Sequence, residues 1–194
     1  MNKLESRILI ILVLIINLIS CNAQQTYPLL TSVDNVPNMA HIKDINNELQ
    51  PYTGTYISTY NGNHITLYIT KENDKFFDYG NKQIYMDILY VRYTIKDSSN
   101  NVLQTTQNIP FQSDKLNTIF SLWAIENGNK VVLNYTGTNC NAGWGDIYLK
   151  KLNANQISWE YRPEDITTTA AKCPPTLDTT IYLPETKDLI FTKQ

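Results

Sequence analysis

Apolar and polar positions alternate in short runs along most of the chain, and turn residues separate the runs, which is the pattern of half-buried β-strands. In residues 54–70, GTYISTYNGNHITLYIT, the pair Asn61-Gly62 supplies the two left-handed positions of a type I′ turn. A two-residue loop pairs Tyr60 with Asn63, Ser58 with Ile65 and Tyr56 with Leu67. Tyr56, Ser58 and Tyr60 then share an inward face with Ile65, Leu67 and Ile69, while Ile57, Thr59, His64, Thr66 and Tyr68 take the other face. Residues 84–96 and 102–106 predict further strands, and residues 118–137 and 145–161 predict hairpins folded about Glu126 to Asn129 and Asn153 to Asn155. The tail adds a short strand before Pro184 and a last one at Leu189 to Thr192. Roughly nine or ten short strands in sequence make an all-β antiparallel meander, with a barrel preferred over a sandwich because closure removes open edges.

One segment departs from this period. In residues 37–51, PNMAHIKDINNELQP, Met39, Ile42, Ile45 and Leu49 recur at near-helical spacing and Pro51 supplies a stop, which predicts a short helix across one end of the sheet with His41 on its surface. Ahead of it, residues 22–33 are acid-free and rich in Gln and Thr, the composition of a tether.

The chain opens with two cations between Met1 and Arg7, an aliphatic run from Ile8 to Ile19, and Ser20 before Cys21, the three zones of a secretory signal. The apolar run of about 12 residues is too short to span a bilayer, which takes roughly 20. Leu18 to Cys21, LISC, resembles the lipobox of bacterial lipoproteins, in which the cysteine receives diacylglycerol and becomes the first mature residue. Two or three acyl chains, at about 0.8 kcal/mol per buried methylene, hold a polypeptide on a membrane durably. The reading is therefore a signal peptide over residues 1–20, a lipidated tether over 21–33 and a single β domain over 34–194. The resemblance places the protein in the cell envelope, most naturally at the outer membrane, on its periplasmic face or at the cell surface.

Charge and cysteine content narrow the field. The formal charge is −2, and losing Lys3, Glu5 and Arg7 with the signal makes it only one unit more negative, which gives no basis for nucleic acid as a partner. With Cys21 assigned to lipid, Cys140 and Cys173 form an even pair outside the reducing cytosol, and a disulfide is expected. In the chain-entropy model, closing that loop stabilises the fold by about 3 to 4 kcal/mol. No CxxC is present, and with only His41 and His64 a metal site needs ligands from distant segments, so neither metal nor cofactor is predicted.

Catalytic chemistry has few carriers. There is no Gly-x-Ser-x-Gly elbow, and His64 falls beside a hairpin turn on the polar face. Asp146 and Glu160, near opposite ends of the third hairpin, are the one pair of carboxylates that suggests a small hydrolase. The loop CNAGWGDI, residues 140–147, sets Trp144 between two glycines, where the indole either plugs a barrel end or serves as a binding platform. Among thirteen tyrosines, Tyr56, Tyr60, Tyr90 and Tyr93 are placed to line a barrel cavity, or simply to be strand residues that bury their rings.

Two family resemblances bear on this. The stretch NNELQPYTGTYISTYNGNHITLYITK, with the lipobox ahead of it and the closing LPETKDLIFTKQ, resembles a family of small uncharacterised lipoproteins of the Bacteroidota, which implies a location and no activity. Gly54-Thr55-Tyr56 is similar to the Gly-x-Trp start of the first strand in lipocalin-like barrels, with Tyr56 in place of the tryptophan. Asp178-Thr179-Thr180 also resembles the O-glycosylation sites of Bacteroidota envelope proteins. The function expected is that of a non-catalytic envelope lipoprotein, attached to the membrane through Cys21, whose β domain binds a small ligand or an envelope protein. Trp144, Tyr56, Tyr60 and Tyr90 are the candidate contacts, and a hydrolase using paired carboxylates is the alternative.

Overall fold

The computed structural model describes residues 24–166 and 169–194. Cys21, the signal segment and the first tether residues lie outside them. Among the described residues there are eleven strands: β1 (Thr26–Pro28), β2 (His41–Lys43), β3 (Gly54–Tyr60), β4 (Asn63–Asp78), β5 (Gln83–Lys96), β6 (Val102–Thr105), β7 (Ile119–Ile125), β8 (Lys130–Tyr135), β9 (Gly145–Lys151), β10 (Gln156–Pro163) and β11 (Leu189–Lys193). Eight of them close an antiparallel barrel in the order β5-β4-β3-β11-β10-β9-β8-β7, with β7 returning to β5. Strand β11 completes the wall by pairing Thr192 with Ile57 and Gln156.

The first hairpin has the predicted register, Tyr60 opposite Asn63, Ser58 opposite Ile65 and Tyr56 opposite Leu67, with Asn61 and Gly62 both at positive φ. Its inward residues Tyr56, Ile65, Leu67 and Ile69 are buried. Turns at residues 126–129 and 152–155 likewise join β7 to β8 and β9 to β10. The strand expected before Pro184 is absent, and Leu183 is buried there without a ladder.

The short helix predicted over residues 37–51 is replaced by β2, followed by a 3₁₀ turn at Gln50–Tyr52. The reason is tertiary. His41 and Ile42 find backbone partners in Tyr85 and Met86 of β5, and β1 then adds in parallel outside them, drawing residues 26–28 of the tether segment into the sheet. Met39 and Asn47 adopt left-handed φ values that an α-helix excludes. Of the apolar positions that suggested a helix, Ile42 and Leu49 are buried, while Met39 and Ile45 are exposed.

The barrel's own interior is filled. Tyr56, Tyr93, Tyr135, Trp159 and Phe191 are all essentially without solvent access. Trp159 donates through its indole nitrogen to Pro184 O at 3.0 Å, and Tyr60 OH donates to Glu185 O at 3.0 Å. Leu183 to Thr186 therefore seals that end. A second apolar layer lies outside the wall, where the β4–β5 arm extends past the barrel. Phe77, Tyr90, Phe111 and Phe120 pack there with neighbouring ring centroids 5.4 to 5.7 Å apart.

Candidate functional site

A cleft lies beside the outer apolar layer. It has a volume of about 360 Å³, with Met86, Leu122 and Val33 among its apolar residues and Tyr79, Trp123, Asp34, Asn81 and Lys82 around them. A register shift in β7 between Ser121 and Trp123 makes this arrangement. Such a bulge re-aims the side chains that follow it; Trp123 is left 42% exposed. On the other side of β7, Leu89 N–H of β5 donates to Ser121 Oγ at 2.8 Å. Tyr79 comes from the four-residue turn between β4 and β5 and stacks on Phe77 with ring planes 10° apart. Lys82 Nζ donates to Val33 O at 2.8 Å and Asp34 O at 3.0 Å, which fixes the ammonium at the rim.

The residues singled out from the sequence do not converge. Tyr56 lies inside the barrel and Tyr60 at its sealed end, while Tyr90 is on the outer face, where its hydroxyl donates to Ile109 O at 2.9 Å. Tyr93 and Tyr135 point inward, and both hydroxyls reach Asn117 Oδ1, at 3.4 and 2.8 Å. Burial pushes both phenols up, that of Tyr135 to about 12, so they are neutral donors already satisfied by protein.

Trp144 does not plug the barrel. It is 42% exposed. Its loop is pinned by the disulfide between Cys140 and Cys173, whose Cα atoms are 5.7 Å apart. Glu164 N–H donates to Trp144 O at 2.7 Å, and Tyr161 OH donates to Gly143 O, so the backbone closes inward and the indole turns outward. The indole borders a cleft of about 380 Å³ with Ser113, Asp114, Asn134 and Asn141.

Asp146 and Glu160 do not face each other. Asp146 is paired with Arg162 in the ladder and Glu160 with Tyr148. The guanidinium of Arg162 binds Glu160 at 2.7 Å and covers the Tyr148 ring at 4.6 Å, while Tyr148 OH donates to Asp146 at 3.2 Å. An arginine thus divides the two acids, and this outer patch holds no pair of free carboxylates.

His41, expected on a surface, is buried. Its Nε2 lies 2.8 Å from Asp87 Oδ1 and its Nδ1 lies 3.2 Å from Asp74 Oδ1. Burial alone raises the Asp87 carboxyl, but the Asp74 and Asp44 N–H groups, each at 3.1 Å, together with His41, hold it below the usual carboxylate range. Beside it, Asp44 is fully buried and accepts from Lys71 Nζ at 2.6 Å, Glu48 N–H at 2.6 Å and Leu49 N–H at 3.2 Å. These groups come from β2, the loop after it, the bulge in β4 and β5. Only the tertiary pairing brings them together, and no local sequence spacing announced them.

No curated protein and no solved structure matches the chain. A family model matches residues 6–194, and the chain belongs to that family, described as a family of unknown function (DUF6705).

Proposed function

We propose that this protein is a bacterial envelope lipoprotein, held to the membrane by lipid on Cys21, whose β domain acts without catalysis by binding a small ligand in the cleft between Tyr79 and Trp123. The observation that carries the reading is two half-exposed aromatic side chains bordering a cleft of about 360 Å³ with Met86 and Leu122 as apolar lining. Binding sites for small molecules are concave, mostly apolar and furnished with a few polar groups, and Lys82, Asp34 and Asn81 supply those here. A ligand with a compact apolar body and one polar end fits this distribution. Inside the barrel, Tyr56, Tyr93 and Tyr135 are buried together with Trp159 and Phe191. The paired-carboxylate hydrolase lacks equivalent support, because Arg162 lies between Asp146 and Glu160.

The test is a fluorescence titration with 1-anilinonaphthalene-8-sulfonate, which has a planar apolar body and one anionic group. Saturable one-to-one binding, abolished by Trp123→Ala and retained in Trp144→Ala, is the expected outcome. No saturable binding, or equal binding by both variants, would overturn the site. The anchor is tested separately by the intact mass of protein recovered from its native membrane, where acyl increments on a chain beginning at Cys21 are expected.

A further inference from the structure

His41 is held with each of its ring nitrogens facing a carboxylate oxygen. Asp87 takes the N–H groups of Asp74 and Asp44 on its two carboxylate oxygens, and a carboxylate is an acceptor only. The contact from His41 Nε2 to Asp87 at 2.8 Å therefore places a proton on Nε2. In the neutral imidazole the lone pair is then on Nδ1, and 3.2 Å away it meets a second carboxylate oxygen, Asp74 Oδ1. Two acceptors in that position repel unless a cation lies between them. The nearby ammonium groups are committed elsewhere, Lys71 to Asp44 at 2.6 Å and Lys75 to Glu72 at 2.9 Å. The cation is thus either a proton or a metal ion.

The geometry suits a metal. Two ligand atoms, each about 2.0 to 2.1 Å from one ion and about 100° apart, are about 3.2 Å from each other, and imidazole nitrogen with carboxylate oxygen is a zinc-type donor set. Asp87 on the far ring nitrogen is the carboxylate that orients a metal-binding histidine and fixes its tautomer. The site opens to solvent on its Asp74 side, since that side chain is 67% exposed, while that of His41 is 4% exposed. Asp74 sits in the register shift between Glu72 and Lys75 with φ 54°, which turns its carboxylate toward β2. We propose that His41 Nδ1 and the Asp74 carboxylate bind a divalent transition-metal ion of the zinc class, with Asp87 as positioning residue. The remaining coordination positions open to water.

The experiment is calorimetric titration of the protein with Zn²⁺ at pH 7.5, alongside Mg²⁺ and Ca²⁺, with Co²⁺ substituted for a visible spectrum. One Zn²⁺ per chain is expected, with no heat from Mg²⁺ or Ca²⁺. Asp74→Asn keeps a residue that tolerates positive φ and removes the charged ligand, so it is expected to weaken Zn²⁺ binding at least tenfold. His64→Ala is expected to bind as the parent does. Absence of stoichiometric Zn²⁺ binding would overturn the proposal. So would binding untouched by Asp74→Asn, which would place the ion elsewhere.

Discussion

Asp87 shows what one buried carboxylate does for this fold. It joins three stretches of chain, taking N–H groups from the β4 bulge and from the loop after β2 while holding the His41 ring. An amide in its place keeps one acceptor and turns a donor toward groups that are themselves donors. Asp87→Asn is therefore expected to cost about 3 kcal/mol, the order found when a buried charged acceptor is removed from its partners. The sign of the pH dependence follows from the lowered carboxyl. Its contribution is full above the unfolded value of about 3.9 and is lost as pH falls through the folded value. Urea midpoints of parent and variant should thus differ most at neutral pH and converge in acid. A gap that stays constant down to pH 3 would show that the cost is packing and not charge. His41 and Asp87 lie 46 positions apart, and nothing near either one marks it as buried, so this residue-level feature was not legible in the sequence.

At the scale of elements, legibility depends on how local the determinants are. The hairpin about Asn61-Gly62 could be read to the exact register because a two-residue turn fixes it and alternation fixes the face. Strand β2 could not be read, since its three residues become a strand only by pairing with β5, and the bulges that expose Trp123 and turn Asp74 leave no compositional mark. Two glycines separate local from tertiary demand. Gly62 has φ +80° and no atom within 4 Å of an added Cβ, whereas at Gly145, with φ +151°, that Cβ would meet Arg162 O at 2.3 Å where β9 and β10 begin and end. Gly62→Ala should cost about 1 kcal/mol through backbone strain alone. Gly145→Ala should cost about 3 kcal/mol or more, because the β9–β10 ladder must move apart. Chemical denaturation of the two variants measures the difference, and equal costs would mean that the close approach at Gly145 relaxes freely.

For the whole molecule, the two ends of the barrel are secured by different means. One end is covered by Leu49 and Tyr52, with Tyr52 OH donating to Gly128 O at 3.0 Å, and the polar network around Asp44 lies beneath it. The other end depends on the tract between β10 and β11, whose described residues, 164–166 and 169–188, form no strand; it is held by the Cys140 to Cys173 bond, by Asn139 Nδ2 donating to Asp178 O at 2.7 Å and by the Leu183 to Thr186 seal. Opening the disulfide lengthens the tether of the first part of that tract without touching the seal. Reduction, or a Cys140→Ala and Cys173→Ala double variant, should lower stability by about 3 to 4 kcal/mol if loop entropy is the main effect. The barrel should remain closed, because β11 still pairs with β3 and β10 and Trp159 still donates to Pro184. Iodide quenching distinguishes the two regions: Trp144, on the pinned loop, should become more accessible while Trp159 stays protected. If both tryptophans become accessible together, the disulfide holds the closure of the barrel itself and not only the tract that covers its end.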